Sequence, residues 1–394
     1  MKFLVIVGDG MGDRPVEGLG GKTPLMVART PHMDRLAREG LVGLAKTIPE
    51  GMSPGSDVAN MALMGWDPAR YHTGRAPIEA AAMGITLEEG ELAFRCNLVT
   101  LAHEGPRVRM EDYSAGHIPT PVAHELIAAL NQALGSREIS FHPGVSYRHV
   151  LTWKDAPRDL PSFPPHDYTG QDVTDKLEAM GPAAELVRRS WKVLEGHPAN
   201  ARRLSEGRRP ANSIWLWGQG PAPALPSLEK LGLKGVVVAA VDLIRGLGVL
   251  GGLKPIEVPG ATGLIDTNYE GKVGAALKGL KEGNFAFVHV EAPDEASHSR
   301  DLEQKIRAIE LFDERVVGPV VEGAQAMGPV RVLLATDHYT PLSVGTHTTE
   351  PVPFVIWDSR RPTNSGVEGF NEAAGAATGL EVMGHELMEM TVRG

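Results

Sequence analysis

The chain has 394 residues, 42% of them hydrophobic, with 39 lysines and arginines against 49 aspartates and glutamates and a formal net charge of -10. This length and composition exclude a disordered chain, and the acidic balance excludes a protein whose main task is to coat nucleic acid or an anionic membrane. The single cysteine, Cys96, excludes an intrachain disulfide, and no apolar run approaches the roughly 20 residues of a membrane span, so we expect a cytoplasmic protein.

Short apolar runs along the chain indicate buried parallel strands, each ending in or close to Gly, Asp or His. In chain order they are Phe3–Val7, Gly235–Val241, Phe285–Val290, Val330–Ala335 and Val352–Trp357. Segments with a helical period lie between them, such as His32–Glu39, Tyr269–Lys281 and Leu302–Val317. This alternation predicts a doubly wound, mainly parallel α/β sheet, in which polar residues just after the strands are the first candidates for a site.

A different pattern occupies residues 72–170. It has alternating strand-like pieces and one helical stretch, Pro121–Leu134. The Pro-rich stretch Pro157–Pro165 lies near its end. We expect an inserted α+β domain at 72–170 in a core formed by 1–71 and 171–394. The Pro-rich stretch should resist regular structure and is predicted to be a hinge or linker.

Two polar residues in the N-terminal part are candidates for chemistry. Asp9 directly follows the first strand, and Ser56 stands at a predicted helix start after Pro54 and Gly55. Each is also typical of a plain turn or helix cap. At a helix start, however, free N–H groups and the helix dipole would stabilise an alkoxide or a phosphate ester on the Ser56 oxygen.

Two further pairs follow later strands. Asp294 and His298 are four residues apart, so one helical turn would bring them onto one face, either to chelate a metal ion or as a surface ion pair. Asp337 and His338 come just after Val330–Ala335, and they can share a ligand only if that strand ends there and turns.

With the loop residue His347, the candidates become three aspartates and three histidines at one predicted sheet edge, beside one serine. These nitrogen and oxygen ligands suit two divalent cations. Two cations next to a hydroxyl suit phosphoryl transfer, because they lower the hydroxyl pKa and neutralise charge in the transition state. No Walker loop or kinase-type Gly-rich loop is present in the sequence, so we expect no nucleotide.

The motifs resemble those of the alkaline phosphatase superfamily and, within it, the archaeal-type cofactor-independent phosphoglycerate mutases. The metal and nucleophile motifs are Asp9, Pro-Gly-Ser56-Asp, Pro293-Asp294-x-x-x-His298, Thr-Asp337-His338 and Gly-Thr-His347. Further stretches that carry the resemblance are Lys22–Leu25, Thr30–Ala37, Phe94–Thr100, Asp112–Gly116, His142–His149 and Ile214–Gly220. The resemblance covers nearly the whole chain.

The resemblance implies how these residues divide between two cations. One is held by Asp294, His298 and His347, and the other by Asp9, Asp337, His338 and the Ser56 oxygen. The implied ion is Mn²⁺, with Mg²⁺, Co²⁺ or Zn²⁺ as alternatives.

The implied activity is that of an isomerase of glycolysis and gluconeogenesis. It interconverts 2-phosphoglycerate and 3-phosphoglycerate through a phosphoserine on Ser56, without 2,3-bisphosphoglycerate. The insertion, 72–170, corresponds to a mobile cap that binds the glycerate part and closes over the metals.

A small, highly anionic substrate needs positive and hydrogen-bonding groups in that cap. The residues expected to grip its carboxylate and phosphate oxygens are Arg75, Arg95, Arg148 and His149. Those expected to contact its hydroxyls or transfer protons are Asn97, Asp112, Ser114 and His117. For each arginine a solvated surface position is the alternative.

Other activities share these core motifs. A phosphatase, another phosphomutase of the superfamily or a mutase-like homoserine kinase paralogue would each keep the metal site, and a metal-binding regulatory or scaffold protein is an alternative of a different class. We expect a small-molecule substrate as partner, with no nucleic acid and no membrane, and the sequence is compatible with a homo-oligomer.

Overall fold

The computed structural model describes all residues, 1–394. Its strands are β1 (Lys2–Gly8), β2 (Leu41–Lys46), β3 (Glu91–Glu104), β4 (Arg107–Asp112), β5 (Ile139–His142), β6 (Arg148–Lys154), β7 (Ser213–Gly220), β8 (Gly235–Val238), β9 (Lys254–Pro255), β10 (Phe285–Val290), β11 (Val330–Thr336), β12 (Val352–Asp358) and β13 (Glu381–Met383).

Its α-helices are α1 (Pro24–Val27), α2 (Pro31–Glu39), α3 (Ser56–Leu63), α4 (Pro68–Tyr71), α5 (Arg75–Ala82), α6 (Thr120–Leu134), α7 (Thr174–Ala179), α8 (Pro182–Glu195), α9 (Pro198–Ser205), α10 (Asp242–Leu250), α11 (Tyr269–Glu282), α12 (Ala292–His298), α13 (Leu302–Phe312), α14 (Gly318–Gln325), α15 (Glu372–Ala377) and α16 (Leu387–Arg393). A π-helical turn, Asp313–Val317, joins α13 to α14. None of these helices combines the length and the apolar character that crossing a membrane would require.

The chain forms two compact units. Unit 1 consists of Met1–His72 and Ala224–Gly394, and unit 2 is Thr73–Pro223. Each unit has a hydrophobic core built from its own residues. The two ends of unit 2 lie side by side, since Thr73 Oγ1 donates a hydrogen bond to Pro221 O at 2.7 Å.

Unit 1 is built on an eight-stranded sheet with the order β13-β2-β12-β11-β1-β10-β8-β9. Alternate residues of β1 explain why helices cover both faces: Leu4 and Ile6 point to one side, Val5 and Val7 to the other, and all four are fully buried. Helices α2, α11, α13 and α14 pack on the face of Leu4 and Ile6. The predicted mixed α/β fold with a mainly parallel sheet is thus confirmed.

One strand direction differs from the prediction. β12 was expected to be parallel, but it runs antiparallel to both β11 and β2. The segment between β11 and β12 contains no helix, and a parallel return would need a crossover connection, so the chain comes straight back beside β11. That returning segment carries His338 and His347.

The parallel register of the central strands brings their carboxyl ends to one edge. Gly8, the last residue of β1, pairs with Val290 at the end of β10 and with Thr336 at the end of β11. The residues that directly follow these strands, among them Asp9 and Asp337, therefore lie next to one another at this edge of the sheet.

Unit 2 contains a mixed α+β arrangement around the long strand β3, which pairs antiparallel with β4, β6 and β7. The predicted end of the insertion at residue 170 differs from the observed end at Pro223. The reason is tertiary: β7 pairs with β3, and α8 packs against β7. The stretch Pro157–Pro165 is not a linker between units, because it lies inside unit 2, where Phe163 O accepts a hydrogen bond from Trp215 Nε1 at 2.8 Å.

Candidate active site

The carboxylates of Asp9 and Asp337 lie together at the edge where β1 and β11 end. Asp337 Oδ1 accepts hydrogen bonds from the backbone N–H groups of Gly10 (3.0 Å) and His338 (2.9 Å), and Asp337 Oδ2 accepts one from Asn60 Nδ2 (2.8 Å). Asp9 is only 4% exposed, and its Oδ1 has no hydrogen-bond partner. One buried oxygen at this edge thus lacks the partner that buried polar atoms normally have.

A second cluster joins α12 to the loop before β12. Asp294 and His298 lie one helical turn apart, with Asp294 Oδ2 at 3.0 Å from His298 Nε2. His347 Nε2 lies 3.1 Å from His298 Nε2 and 3.6 Å from Asp294 Oδ1. Two ligands that each bind one tetrahedral ion at 2.1 Å are about 3.4 Å apart, so this spacing is that of atoms around a single cation.

Ser56 is the first residue of α3, and its Oγ lies 3.2 Å from His338 Nε2. The same imidazole nitrogen is 3.4 Å from Asp9 Oδ1 and 3.5 Å from Asp337 Oδ2. Because β11 ends at Thr336, Asp337 and His338 both turn into the cluster, as shared ligation requires. The structure therefore brings the serine hydroxyl to an imidazole that also lies beside the Asp9 and Asp337 carboxylates.

One hydroxyl connects the two clusters. Thr340 Oγ1 lies 2.5 Å from Asp294 Oδ1, to which it donates its proton, and 3.2 Å from His338 Nδ1. A hydroxyl has one proton, so Thr340 must accept from His338, and the proton of the His338 ring sits on Nδ1. Burial lowers the pKa of His338, which keeps the ring neutral and leaves the Nε2 lone pair facing Ser56 and Asp9.

The surroundings of Asp294 and His298 also suit an ion. Gly10 has φ of +60°, and a Cβ there would lie 2.5 Å from Asp294 Oδ1, so a side chain would fill the space beside this carboxylate. His298 Nδ1 lies 3.0 Å from Gly345 O. A carbonyl only accepts, so Nδ1 carries the proton and Nε2 can bind a metal, as second-sphere partners commonly arrange.

The electrostatics of the site favour positive charge. Burial, together with the carboxylates of Asp337 and Asp294, raises the pKa of Asp9 well above its ordinary value. The hydrogen bond to Asp294 raises the pKa of His298 to about 9. Both shifts mean that Asp9 and His298 hold protons tightly, and a bound cation would take the place of those protons. With the unpartnered Asp9 oxygen, the two imidazole tautomers and the space beside Gly10, the residues present fit divalent cations.

Three residues of this region lie outside the predicted set. Asn60 binds Asp337 from α3, Thr340 bridges the clusters, and His289 on β10 lies 3.4 Å from Asp9 Oδ2 through its Nε2. Asn60 is four residues after Ser56, so the helical period was a usable signal for it. No comparable signal marks His289, because it lies inside an apolar run typical of a core strand.

Unit 2 brings three of the predicted arginines around one mostly buried carboxylate, that of Glu79. Glu79 Oε1 accepts a hydrogen bond from Arg75 Nε at 2.9 Å, and Glu79 Oε2 forms an ion pair with Arg95 Nε at 2.8 Å. Burial alone would raise the pKa of Glu79, but Arg95, Arg75 and then Arg148 outweigh it and lower that pKa. The Arg95 guanidinium also stacks 4.4 Å from the ring centre of Trp217. A cluster of three cations and one anion suits an anionic ligand.

Three other predicted residues make hydrogen bonds inside unit 2. Asn97 Oδ1 accepts from Trp217 Nε1 at 3.1 Å, and the Asp112 carboxylate accepts backbone N–H groups of the turn that follows it. His149 is 2% exposed, and its Nδ1 accepts from Gly144 N at 2.9 Å. Burial lowers the pKa of His149 to about 3, so it carries no charge at neutral pH. These contacts shape loops, and direct contact with substrate stays a prediction for all three.

The imidazole of His117 belongs to a group of aromatic rings. His117 has a positive φ of 48°, and its ring centre lies 5.9 Å from that of Tyr147 and 6.3 Å from that of Tyr113. His166, from the Pro-rich region, lies 5.5 Å from the Trp217 ring and 6.2 Å from Tyr113. Sequence reasoning missed His166 because the stretch before it was assigned to a linker.

Known proteins match this chain over nearly its full length. A family model described as 2,3-bisphosphoglycerate-independent phosphoglycerate mutase matches residues 37–200. A 2,3-bisphosphoglycerate-independent phosphoglycerate mutase of Methanothrix thermoacetophila is 52% identical over 400 residues, which is 100% of each chain.

Solved structures agree with the sequence relatives. A protein of Pyrococcus horikoshii is 29% identical with a TM-score of 0.83, covering 99% of this chain and 96% of that one. The cofactor-independent phosphoglycerate mutase of Thermoplasma acidophilum is 27% identical with a TM-score of 0.67, covering 100% of this chain and 99% of that one. By its 52% identity over the whole length to the Methanothrix relative, the chain belongs to the isomerase family of 2,3-bisphosphoglycerate-independent phosphoglycerate mutases.

Proposed function

We propose that this protein interconverts 2-phosphoglycerate and 3-phosphoglycerate without 2,3-bisphosphoglycerate, with Ser56 as the nucleophile. The observation that carries the proposal is the 3.2 Å approach of Ser56 Oγ to His338 Nε2, inside a buried cluster of aspartates and histidines. The names of the relatives support the same reaction. As an enzyme of glycolysis and gluconeogenesis, the protein would act in the cytoplasm.

Two divalent cations belong to this proposal, with Mn²⁺ as the expected ion and Mg²⁺, Co²⁺ or Zn²⁺ as alternatives. Asp294, His298 and His347 would hold one of them. The residues that would hold the other are Asp9, Ser56, Asp337 and His338. When bound, such ions lower the pKa of a serine hydroxyl and neutralise charge on a phosphoryl group in transfer.

The reaction proceeds by two transfers at one oxygen. Ser56 Oγ forms a bond to phosphorus while the bond from phosphorus to the substrate oxygen breaks, and the proton lost by Ser56 balances the one that the departing glycerate takes up. The second glycerate hydroxyl then attacks the phosphoserine, which yields the isomer and restores Ser56. The N-terminus of α3 favours the negative charge of the phosphoserine, because its N–H groups are free of helical partners.

Unit 2 is proposed as the inserted α+β cap of an alkaline phosphatase-like core. Arg75, Arg95 and Arg148 would hold the carboxylate and phosphate oxygens of the substrate, together with His117. Asn97, Asp112 and His149, which make hydrogen bonds inside the same unit, are also proposed to contact the substrate. We also assign to unit 2 the exclusion of water, because a phosphoserine open to water would be hydrolysed and the enzyme would act as a phosphatase.

The test is to incubate the metal-loaded protein with 3-phosphoglycerate alone and to follow 2-phosphoglycerate by NMR. Ser56→Ala should still bind metal but lose turnover by several orders of magnitude, since removal of a nucleophile leaves only residual catalysis. Ser53→Ala, in the same loop, is the matched control and should remain active. Undiminished turnover by Ser56→Ala would exclude this nucleophile. Release of inorganic phosphate or a need for ATP would instead favour a phosphatase or a kinase.

A further inference from the structure

His289 is the most deeply placed imidazole near the site. It lies on β10 between β1 and β8, it is fully buried, and neither of its ring nitrogens has a hydrogen-bond partner. The polar atoms near it belong to carboxylates. Its Nε2 is 3.4 Å from Asp9 Oδ2 and 3.9 Å from Asp337 Oδ2, and its Nδ1 is 3.3 Å from Glu291 Oε1. A buried ring with two unpartnered nitrogens needs an explanation.

The carboxylate on the Nδ1 side is fixed in place. Glu291 Oε2 accepts a hydrogen bond from Lys272 Nζ at 2.7 Å, and Glu291 Oε1 accepts from the N–H groups of Ala240 (2.9 Å) and Val241 (3.2 Å). Lys272 is fully buried and also donates to His289 O at 3.0 Å. Glu291 therefore remains a pure acceptor directed at His289 Nδ1.

This arrangement decides how the imidazole is oriented. A carboxylate accepts only, so the proton of a neutral His289 belongs on Nδ1, facing Glu291. The lone pair of Nε2 then points toward the oxygens of Asp9 and Asp337. Three electron-rich atoms that converge in a buried space repel one another unless a proton or a metal cation lies among them, and the ligand atoms of Asp9, His289 and Asp337 lie close enough together to hold one metal ion.

We propose that His289 Nε2 is a further ligand of the cation held by Asp9 and Asp337, and that Glu291 and Lys272 orient it. The inference rests on the cation-binding part of the proposed function and adds one nitrogen to that site. His289 Nε2 lies 3.4 Å from Asp9 Oδ2, and His338 Nε2 lies at the same distance from Asp9 Oδ1. The two imidazoles therefore approach the Asp9 carboxylate equally closely.

Two features of metal chemistry agree with this ligand. A ligating histidine nearly always donates its other N–H to a carboxylate, carbonyl or water, and the Glu291 carboxylate, 3.3 Å from His289 Nδ1, is the group placed to accept it here. Mn²⁺ accepts octahedral coordination, so the site has room for a donor beyond Asp9, Ser56, Asp337 and His338.

The direct test counts metal-bound imidazoles in the unaltered protein. The full chain labelled with ¹⁵N in its histidine rings is titrated to saturation with Mg²⁺, which is diamagnetic and, like Mn²⁺, takes octahedral coordination, while the ring nitrogens are followed by NMR. We expect four histidines to shift as metal ligands: His289, His298, His338 and His347. A shift of the last three without His289 would overturn this inference alone. No shift in any histidine would overturn it together with the cation part of the proposed function.

Variants supply a second measurement. In His289→Gln and Glu291→Gln, calorimetric titration with Mn²⁺ should show one ion bound roughly 10- to 100-fold more weakly, as when a ligand or its partner is removed. Binding of the other ion, at Asp294, should be unchanged, and His142→Gln in unit 2 is the matched control. Wild-type affinity for both ions in folded His289→Gln would overturn the proposal. If that variant fails to fold, the NMR count on the unaltered chain decides.

Discussion

Thr340 makes the two ligand clusters depend on each other through a single atom. Its hydroxyl gives its only proton to Asp294 and accepts the Nδ1 proton of His338. The residue is fully buried, so no water can substitute for either bond. The tautomer of His338, and with it the Nε2 lone pair that faces Ser56, therefore depends on this hydroxyl.

We predict that Thr340→Val weakens binding of both cations, by roughly 10- to 100-fold at the His338 site, because valine keeps the shape but removes the hydroxyl. Thr340→Ser should restore most of the affinity, since it keeps the donor and acceptor. Calorimetric titration of each variant with Mn²⁺ measures the effect. Equal affinities in the valine and serine variants would show that the hydroxyl does not orient His338.

Residues in the site differ in how well the sequence predicts them. Asp9 and Asp337 follow apolar strands directly, and strand ends of a parallel sheet meet at one edge, so their proximity can be predicted. His289 gives no such signal, since a histidine within an apolar strand is compatible with either face. Only the register of β10 against β1 and the burial of its ring show where it points.

At the scale of helices and strands, an ion pair joins α5 to β3. Glu79 on α5, whose side chain is 12% exposed, is paired with Arg75 of the same helix and with the buried Arg95 of β3. Burial lowers the pKa of Arg95 to about 10, which still leaves it charged at neutral pH. The contact is a buried ion pair, whose members are costly to leave unpaired.

We predict that Glu79→Gln lowers the free energy of unfolding at pH 7 by about 3 kcal/mol, the scale for breaking a buried pair. Despite burial, Arg95 and Arg75 hold the folded-state pKa of Glu79 below its ordinary value of 4.5. The stabilisation is therefore present above that value and is lost as pH falls through the folded-state pKa. Unfolding experiments at pH 7 and in acid measure both effects.

The control for this prediction is Glu125→Gln in the same unit. Glu125 forms an ion pair with Arg202 in which the two side chains are 50% and 58% exposed. Such surface pairs contribute about 0–1 kcal/mol to the free energy of unfolding, so we expect Glu125→Gln to change it little. A loss in Glu79→Gln no larger than in this control, or one that persists unchanged in acid, would contradict the role of the buried pair.

Helix and strand positions were largely predictable, whereas strand direction and unit membership were not. The helix predicted at Pro121–Leu134 is present as α6, because its apolar residues recur with helical period. The direction of β12 and the assignment of β7 to unit 2 depend on pairing with distant strands. The sequence of neither strand indicates which distant strand it pairs with.

At the scale of the whole molecule, the two units have separate cores and different chemistry. The clustered carboxylates Asp9, Asp294 and Asp337 are all in unit 1, and the arginine cluster is in unit 2. The ends of unit 2 are adjacent at Thr73 and Pro221, as in domains that fold independently.

We predict that a chelator lowers the melting temperature of unit 1 and leaves unit 2 unchanged. A cation at 100 times its Kd stabilises the folded state by about 2.7 kcal/mol, and its loss leaves buried carboxylates facing one another. Calorimetry of the full chain with Mn²⁺ or with chelator measures the shift. The fragment 73–223, expressed alone, should fold, and its melting temperature should be the same with Mn²⁺ and with chelator. The prediction would be contradicted if the melting temperature of the fragment depended on metal, or if chelator left the melting temperature of the full chain unchanged.

The sequence by itself determined the α/β class. It also predicted an inserted region that begins near residue 72 and a candidate set of aspartates and histidines with Ser56, because each prediction depends on local pattern: apolar runs, helical period and residues at strand ends. Tertiary structure alone decided the direction of β12, the end of unit 2, the bridging hydroxyl of Thr340 and the place of His289. These depend on which distant segments meet and on which side chains share a proton. Contacts between residues far apart in the chain leave no signal in the neighbouring residues.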